Sequence, residues 1–262
     1  MGAQYEQKLR AWIVVAGVAV GLTACSAGDD GGGSAGEDSV PVAYVKRSDA
    51  TLGNPTDSIM FSPGGDLFLR EVSSPGAAET NVTSVYTRGN GDVSDPDVSY
   101  DGKKIVFAMR CAAAGSPLLN GVPACTNRWE IWEYNLASKQ LRPIRCDAVD
   151  RSTTPQPITG DDVDPAYLPD GGIVFTSNRQ AGTWRKMQEN GETPYKILDE
   201  YEREPVTLLH VMDEDGRNCQ QISFNQSHDR NPTVLPNGKI MFSRWDHVGD
   251  RNHFKIFQTN PD

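Results

Sequence analysis

The sequence predicts an all-β chain of repeated four-stranded antiparallel sheets, and three observations carry the prediction. One motif occurs three times: Asp95-Pro96 leads to Asp101-Gly102 and then Ile105-Val106-Phe107, Asp164-Pro165 to Asp170-Gly171 and Ile173-Val174-Phe175, and Asn231-Pro232 to Asn237-Gly238 and Ile240-Met241-Phe242. Each copy reads as a short strand, a tight turn and an apolar strand, and a repeat fixes architecture before any single residue is interpreted. The turns are Asp-Gly or Asn-Gly, the strongest short hairpin signal, because both central residues take positive φ. Finally, the 262 residues include 25 Gly and 17 Pro, with the aromatics in short runs, as an all-β protein has them. Four-stranded antiparallel blades of this kind build a β-propeller, whose strands are lettered A to D from the centre outward.

The elements follow in order. Residues 1–24 read as a secretory signal: Lys8 and Arg10 begin an uncharged apolar run from Ala11 to Thr23 that is too short to span a bilayer permanently. Residues 25–39, rich in Gly, Ser, Asp and Glu, are a flexible acidic tether with nothing to bury. Residues 40–262 form the partial propeller. In its first blade Val42–Val45 is strand B, Asp66–Leu69 strand C and Thr80–Thr83 strand D, with no obvious strand A. The next blade spans about 93–145, with Trp129–Tyr134 as strand C. A third spans about 162–224, where Leu208–Met212 turns through Asp213–Gly216 into Gln220–Ser223. The last opens near 230 and stops in strand C, after Phe254–Phe257.

That makes about three and a half blades, open at both ends, against four to eight in a closed ring. The natural protein is therefore expected to continue past Asp262. The repeats are 67–69 residues apart, longer than ordinary blades, and the excess lies mostly between strands B and C, at 48–64, 111–128 and 178–206. Those loops share one face with the D–A loops, and insertions collected on one face mark a binding face. Tyr195–Tyr201 is expected to form a short helix in the largest insertion.

The formal charge of −10 becomes one unit more negative without residues 1–24, which carry Lys8, Arg10 and Glu6. An acidic surface argues against nucleic acid and against polybasic docking to lipid. Beyond Cys25, an even number of cysteines in an exported chain points to disulfides. Cys111 and Cys125 flank one loop and make the first pair, worth about 3 kcal/mol in the chain-entropy model, which leaves Cys146 with Cys219.

Leu22-Thr23-Ala24-Cys25 resembles the lipobox of bacterial lipoproteins, which implies lipidation of Cys25; the alternative is an ordinary signal peptide. Ser26 after the Cys favours the outer membrane. The repeat wording resembles the WD40-like repeats of TolB-type propellers. Val42-Ala43-Tyr44-Val45-Lys46-Arg47, Asp97-Val98-Ser99-Tyr100-Asp101-Gly102 and Asp164-Pro165-Ala166-Tyr167-Leu168-Pro169-Asp170-Gly171 look more narrowly like the middle propeller of the hydrazine synthase alpha subunit. The resemblance covers about 40–262 and implies the fold. The c-type haem motifs of that family are absent, so its chemistry does not carry over.

Each candidate site residue also has a structural role open to it. The Gly-x-Gly-x-x-Gly and Gly-x-Ser-x-Gly patterns at 31–36 fall in the tether, outside the strand–turn–helix context they require. Asp161, Asp162 and Asp164 form an acidic group suited to calcium or to capping turns and tying blades together. Arg110, Arg179 and Arg244 end strand B, where they would grip an anion or pair with the D–A aspartates. His228 and His247 fall in loops of the long-loop face, Trp184 and Trp245 are candidate exposed anchors there, and His210 is structural. No metal site, no cofactor motif and no nucleophile–base pair is written in the sequence. The expectation is a binding or scaffolding module on a lipid anchor, with a protein partner or small ligand on the long-loop face. The alternative is the gating or docking propeller of an exported enzyme whose catalytic domain, haem-dependent or hydrolytic, lies beyond residue 262.

Overall fold

A computed structural model describes residues 10–13, 40–48 and 59–262. Cys25, the tether and residues 49–58 lie outside the described residues. The first sheet pairs β1 (Arg10–Ile13), β2 (Val42–Arg47), β3 (Asp66–Arg70) and β4 (Glu79–Asn81) in that order. After one helical turn, α1 (Ser84–Thr87), come β5 (Asp92–Val98), β6 (Lys104–Arg110), the small hairpin β7 (Leu118–Leu119) and β8 (Val122–Pro123), then β9 (Trp129–Asn135) and β10 (Gln140–Ile144). The second sheet is ordered β5-β6-β9-β10. The third joins β11 (Asp162–Tyr167) and β12 (Ile173–Ser177), across α2 (Ala181–Glu189), to β13 (Leu208–Met212) and β14 (Gln220–Gln221). The fourth has three strands, β15 (Asp229–Val234), β16 (Ile240–Val248) and β17 (Arg251–Thr259). Every pairing is antiparallel, as in propeller blades.

The repeat predicts strands B to D of the first blade and every strand of the next two. Two points differ. Arg10–Ile13, inside the stretch read as a secretory signal, runs along β2, from Arg10↔Arg47 to Ile13↔Tyr44, where the sequence shows no strand A; cleavage ahead of Cys25 would remove this strand and leave the β2 edge open. Tyr195–Tyr201 is not helical, and Leu198 makes an isolated bridge to Pro205 instead. The helix of that insertion is α2. Its first N–H groups are satisfied from far along the chain: Ala181 donates to His210 Nε2 (3.3 Å), and Gly182 and Thr183 donate to Gln221 Oε1 (3.0 and 3.1 Å). No local side chain caps the helix, so the start signal that a sequence reading relies on is missing.

The core is a series of slabs between neighbouring sheets, and side-chain alternation assigns residues to them. On β6, Ile105, Phe107 and Met109 pack toward the first sheet with Leu67 and Trp132, whereas Val106 packs toward the third with Ile131, Ile173 and Phe175. On β12, Val174 turns the other way, to Leu209, Ile240 and Phe242. A strand buried on both faces has no room for polar alternation, which is why these strands read as continuous apolar runs.

The Asp/Asn-Pro dipeptides explain the repeat physically. Asp95, Asp164 and Asn231 have φ of 54°, 51° and 53°, and the register of each strand A shifts there, between Ser94 and Asp97, Val163 and Ala166, and Arg230 and Thr233. Each is a β-bulge whose left-handed residue is one of the few non-glycine types that tolerate it. The following Pro has no N–H to lose from the ladder. The bulge frees carboxylates to reach the next blade. Asp97 Oδ2 accepts the Tyr167 N–H at 2.8 Å, and Asp164 Oδ2 accepts the Asn231 N–H at 3.1 Å. Disulfides Cys111–Cys125 and Cys146–Cys219 pair as the sequence implies, the first closing the insertion of the second blade and the second joining the second sheet to the third.

Candidate functional site at the long-loop rim

The longest insertion is held down by Gln180, whose Nε2 donates to Ile197 O (2.8 Å) and Val206 O (3.1 Å) while its Oε1 accepts the Ile197 N–H (2.8 Å). Residues 199–204 thereby meet the loop leading into β15 and the β16–β17 hairpin. Trp245 lies buried at the centre of this meeting point. Its ring is 5.4 Å from His228 and 5.2 Å from Tyr201, and Tyr201 is 4.6 Å from His247. Asn252 Oδ1 is the common acceptor, for Trp245 Nε1–H (2.7 Å), Tyr201 O–H (3.0 Å) and His247 Nδ1 (3.3 Å). An indole N–H only donates, so the amide oxygen is fixed in place. A bond from His247 then puts the proton on Nδ1 and leaves Nε2 an acceptor.

His228 has the opposite tautomer. The Thr207 N–H donates to its Nδ1 at 3.0 Å, so the neutral ring carries its proton on Nε2. Thr207 Oγ1 lies at the same 3.0 Å from Nδ1. Burial, followed by the charge of Arg230, lowers the imidazole pKa to about 4, so His228 is neutral at pH 7. Nε2 faces Asp199 Oδ2 at 4.0 Å and Glu204 Oε1 at 3.8 Å, beyond direct hydrogen bonding. Among the described residues, these three form the group of His and acidic side chains whose ligand atoms converge within 4.8 Å.

The structure brings His228, Trp245 and His247 together in this cluster, but His247 is not in a loop: β16 runs on to Val248, past Arg244, because it stays paired with β17 as far as Val248↔Arg251. Trp184 and Trp245 are not exposed anchors: Trp184 packs beside the core between the second and third sheets, and Trp245 is 2% exposed. A large ring gains more from burial than from standing on a rim. Arg179 and Arg244 are committed to strand-A carboxylates of their own blades rather than to an anion. Arg179 pairs with Asp162 through both oxygens, and Arg244 holds Asp229 at 2.6 and 2.8 Å. Arg110 stands opposite Asp92 in register, but Asp92 is gripped across blades by Arg47 at 2.8 and 2.7 Å, and Arg110 lies over the Phe61 ring at 4.3 Å. Asp161 accepts the Trp129 N–H at 3.0 Å, and Asp164 serves the bulge clasp, so neither opens toward the rim cluster. His210 is fully buried, with Nδ1 3.0 Å from Leu208 O and a pKa lowered by burial to about 3.

Tyr201, Asn252, Asp199 and Glu204 carry no signal in the sequence. They belong to different loops, and no spacing motif joins them.

No protein-family model matches the chain, and no curated protein sequence matches it. Among solved structures, Kuenenia stuttgartiensis hydrazine synthase superposes with a TM-score of 0.59 at 17% identity, over 85% of this chain and 30% of that one. TolB from Acinetobacter baumannii gives 0.43 at 16% identity, over 84% and 38%. A puromycin-hydrolyzing peptidase from Mycobacterium tuberculosis gives 0.44 at 10%, over 84% and 25%. The chain is thus a partial β-propeller of the kind its repeats imply. At these identities the likeness establishes the fold, and the chain spans about a third or less of the hydrazine synthase chain.

Proposed function

We propose that this protein is an exported β-propeller held to the outer membrane by a lipid on Cys25, and that it binds a protein or small ligand through its long-loop rim. The observation that carries this reading is the convergence at one rim. Two loops and the end of the β16–β17 hairpin place partly exposed Tyr201 and His247 over the buried pair Trp245 and His228. A preformed patch with aromatic anchors and oriented hydrogen-bonding groups is what a recognition surface needs. Two disulfides fit an oxidising compartment, and no helix among the described residues is long and apolar enough to cross a membrane. Acyl chains contribute about 0.8 kcal/mol per buried methylene, enough to hold such a domain on a bilayer.

A second reading has one specific support. Because 85% of this chain corresponds to 30% of a much longer enzyme chain, the propeller also fits the role of a docking or gating domain, with catalysis beyond residue 262. Two experiments test the proposal in the native host. Metabolic labelling with an alkyne fatty acid is expected to tag the wild type and not Cys25→Ala, which should leave the membrane fraction. A photo-crosslinking residue at position 247 is expected to capture a partner that the same residue at position 170, in the opposite A–B turn, does not. Equal capture at both positions would sink the rim as the binding face. An intramolecular crosslink from position 247 to a segment after residue 262 would favour the docking reading.

A further inference from the structure

The geometry points to a divalent transition-metal site formed by Asp199, Glu204 and His228, for which Zn²⁺ is the fitting probe. Asp199 and His228 are 2% and 1% exposed, yet Asp199 Oδ2 and His228 Nε2 have no hydrogen-bond partner among the described residues. An unsatisfied buried acceptor and an unsatisfied buried ring nitrogen, facing each other, are costly unless something sits between them. Asp199 is not adaptable: its Oδ1 already accepts the Arg203 N–H at 2.8 Å, which aims Oδ2 at the imidazole. Imidazole nitrogen and carboxylate oxygens suit zinc, manganese and iron rather than calcium, which takes oxygen alone. Ligands about 2.1 Å from a tetrahedral ion stand about 3.4 Å apart. The 3.8 and 4.0 Å from His228 close onto an ion with shifts of a few tenths of an ångström, and the two carboxylates, within 4.8 Å of each other, need an approach of up to about 1.4 Å, which the partly exposed Glu204 side chain can supply.

Ligation at Nε2 requires the proton to leave that nitrogen for Nδ1. Thr207 supplies both alternatives, since its N–H donates to a bare Nδ1 and its Oγ1, also 3.0 Å away, accepts from a protonated one. Without the ion the first holds; with it the second does, the Thr207 N–H loses its acceptor, and the hydroxyl becomes the partner that orients the ligating ring, a cost that also lowers the affinity. Glu204, whose side chain is 18% exposed, leaves a route from solvent. Arg203 and Arg230 oppose a cation here, so three ligands and two nearby guanidinium groups define a moderate site with coordination positions left open.

The test uses the full chain stripped with a chelator and then titrated with Zn²⁺, with Mn²⁺ and Ca²⁺ in parallel, by calorimetry and by Trp fluorescence. The Trp245 ring, 5.4 Å from His228, is the reporter. One Zn²⁺ per chain is expected, with Ca²⁺ bound at least tenfold more weakly. Glu204→Gln and Asp199→Asn should each weaken Zn²⁺ at least tenfold without lowering Tm of the stripped protein. Thr207→Val keeps the N–H and removes the hydroxyl acceptor; a loss of about 10–100-fold in Zn²⁺ affinity is expected. Absence of saturable Zn²⁺ binding, or binding unchanged in Glu204→Gln and Asp199→Asn, overturns the site and leaves a bridging water as the occupant.

Discussion

The inner edge of the blades and the long-loop rim are built on opposite plans. At the inner edge a related device recurs: a left-handed Asp or Asn, a Pro, and an acidic side chain that takes a backbone N–H of the following blade, Asp97 just after the bulge in the second blade and Asp164 at the bulge itself in the third. At the rim each blade differs. The second closes its insertion with Cys111–Cys125, the third anchors its insertion through Gln180 and α2, and the fourth joins β16 to β17 by a turn of only Gly249 and Asp250. Repetition marks the parts that hold blades together. Departure from it marks where surfaces meet something else.

Substitutions should separate the two regions. The largest effect is expected from Arg179→Ala, which leaves the buried Asp162 carboxylate without its guanidinium; about 3–5 kcal/mol of stability should be lost in urea unfolding. Asp164→Ala removes the inter-blade acceptor and should cost about 1–3 kcal/mol, whereas Asp164→Asn, the residue that the fourth blade already carries there, should cost less. If both cost the same, the clasp is not what the side chain supplies. Tyr201→Ala should cost only about 1 kcal/mol, the worth of an aromatic pair, while abolishing crosslinking from position 247. A scaffold-sized loss there would erase the distinction between the regions.

The smallest effect is a pH dependence at the centre. Loss of hydration between the strand A segments, then the charge of Asp164, raises the pKa of Asp95 to about 7, a shift that the solvent access of its side chain tempers. The folded state therefore keeps a proton that the unfolded chain releases near 4, and this contribution to stability falls as pH rises from about 4 to 7. Asp95→Asn should match the wild type in Tm at pH 4 and exceed it modestly at pH 7.5, modestly because Asp95 is open to solvent and screened. His228 acts in the reverse sense: its lowered pKa makes stability fall as pH drops from about 6.5 to 4. The difference between Asp95→Asn and the wild type cancels that background. A Tm difference independent of pH would show that the carboxyl is not held protonated.

Where the sequence repeats, its reading matches the structure, because bulge, hairpin and apolar strand are local chemistry of Asp, Asn, Pro and Gly. The disulfide pairs follow from loop logic. Helix α2 was not legible because Gln221 and His210 cap it from 29 to 39 residues away. The same reason hides the rim: His228 and Trp245 are visible as candidates, but nothing local announces that Asp199, Glu204 and Asn252 will be their neighbours. Contacts between non-repeating loops are fixed by the scaffold that carries them, and only the scaffold is written in the period.

The bulge clasp also has a direction. In the two clasps seen, the acceptor belongs to the earlier blade and the donated N–H to the later one. In a chain that becomes available N-terminus first, both of these acceptors would be in place before the N–H groups they receive. Blade-by-blade docking would suit that polarity, although Arg47 to Asp92 and Trp129 to Asp161 run the other way, with the donor in the earlier blade.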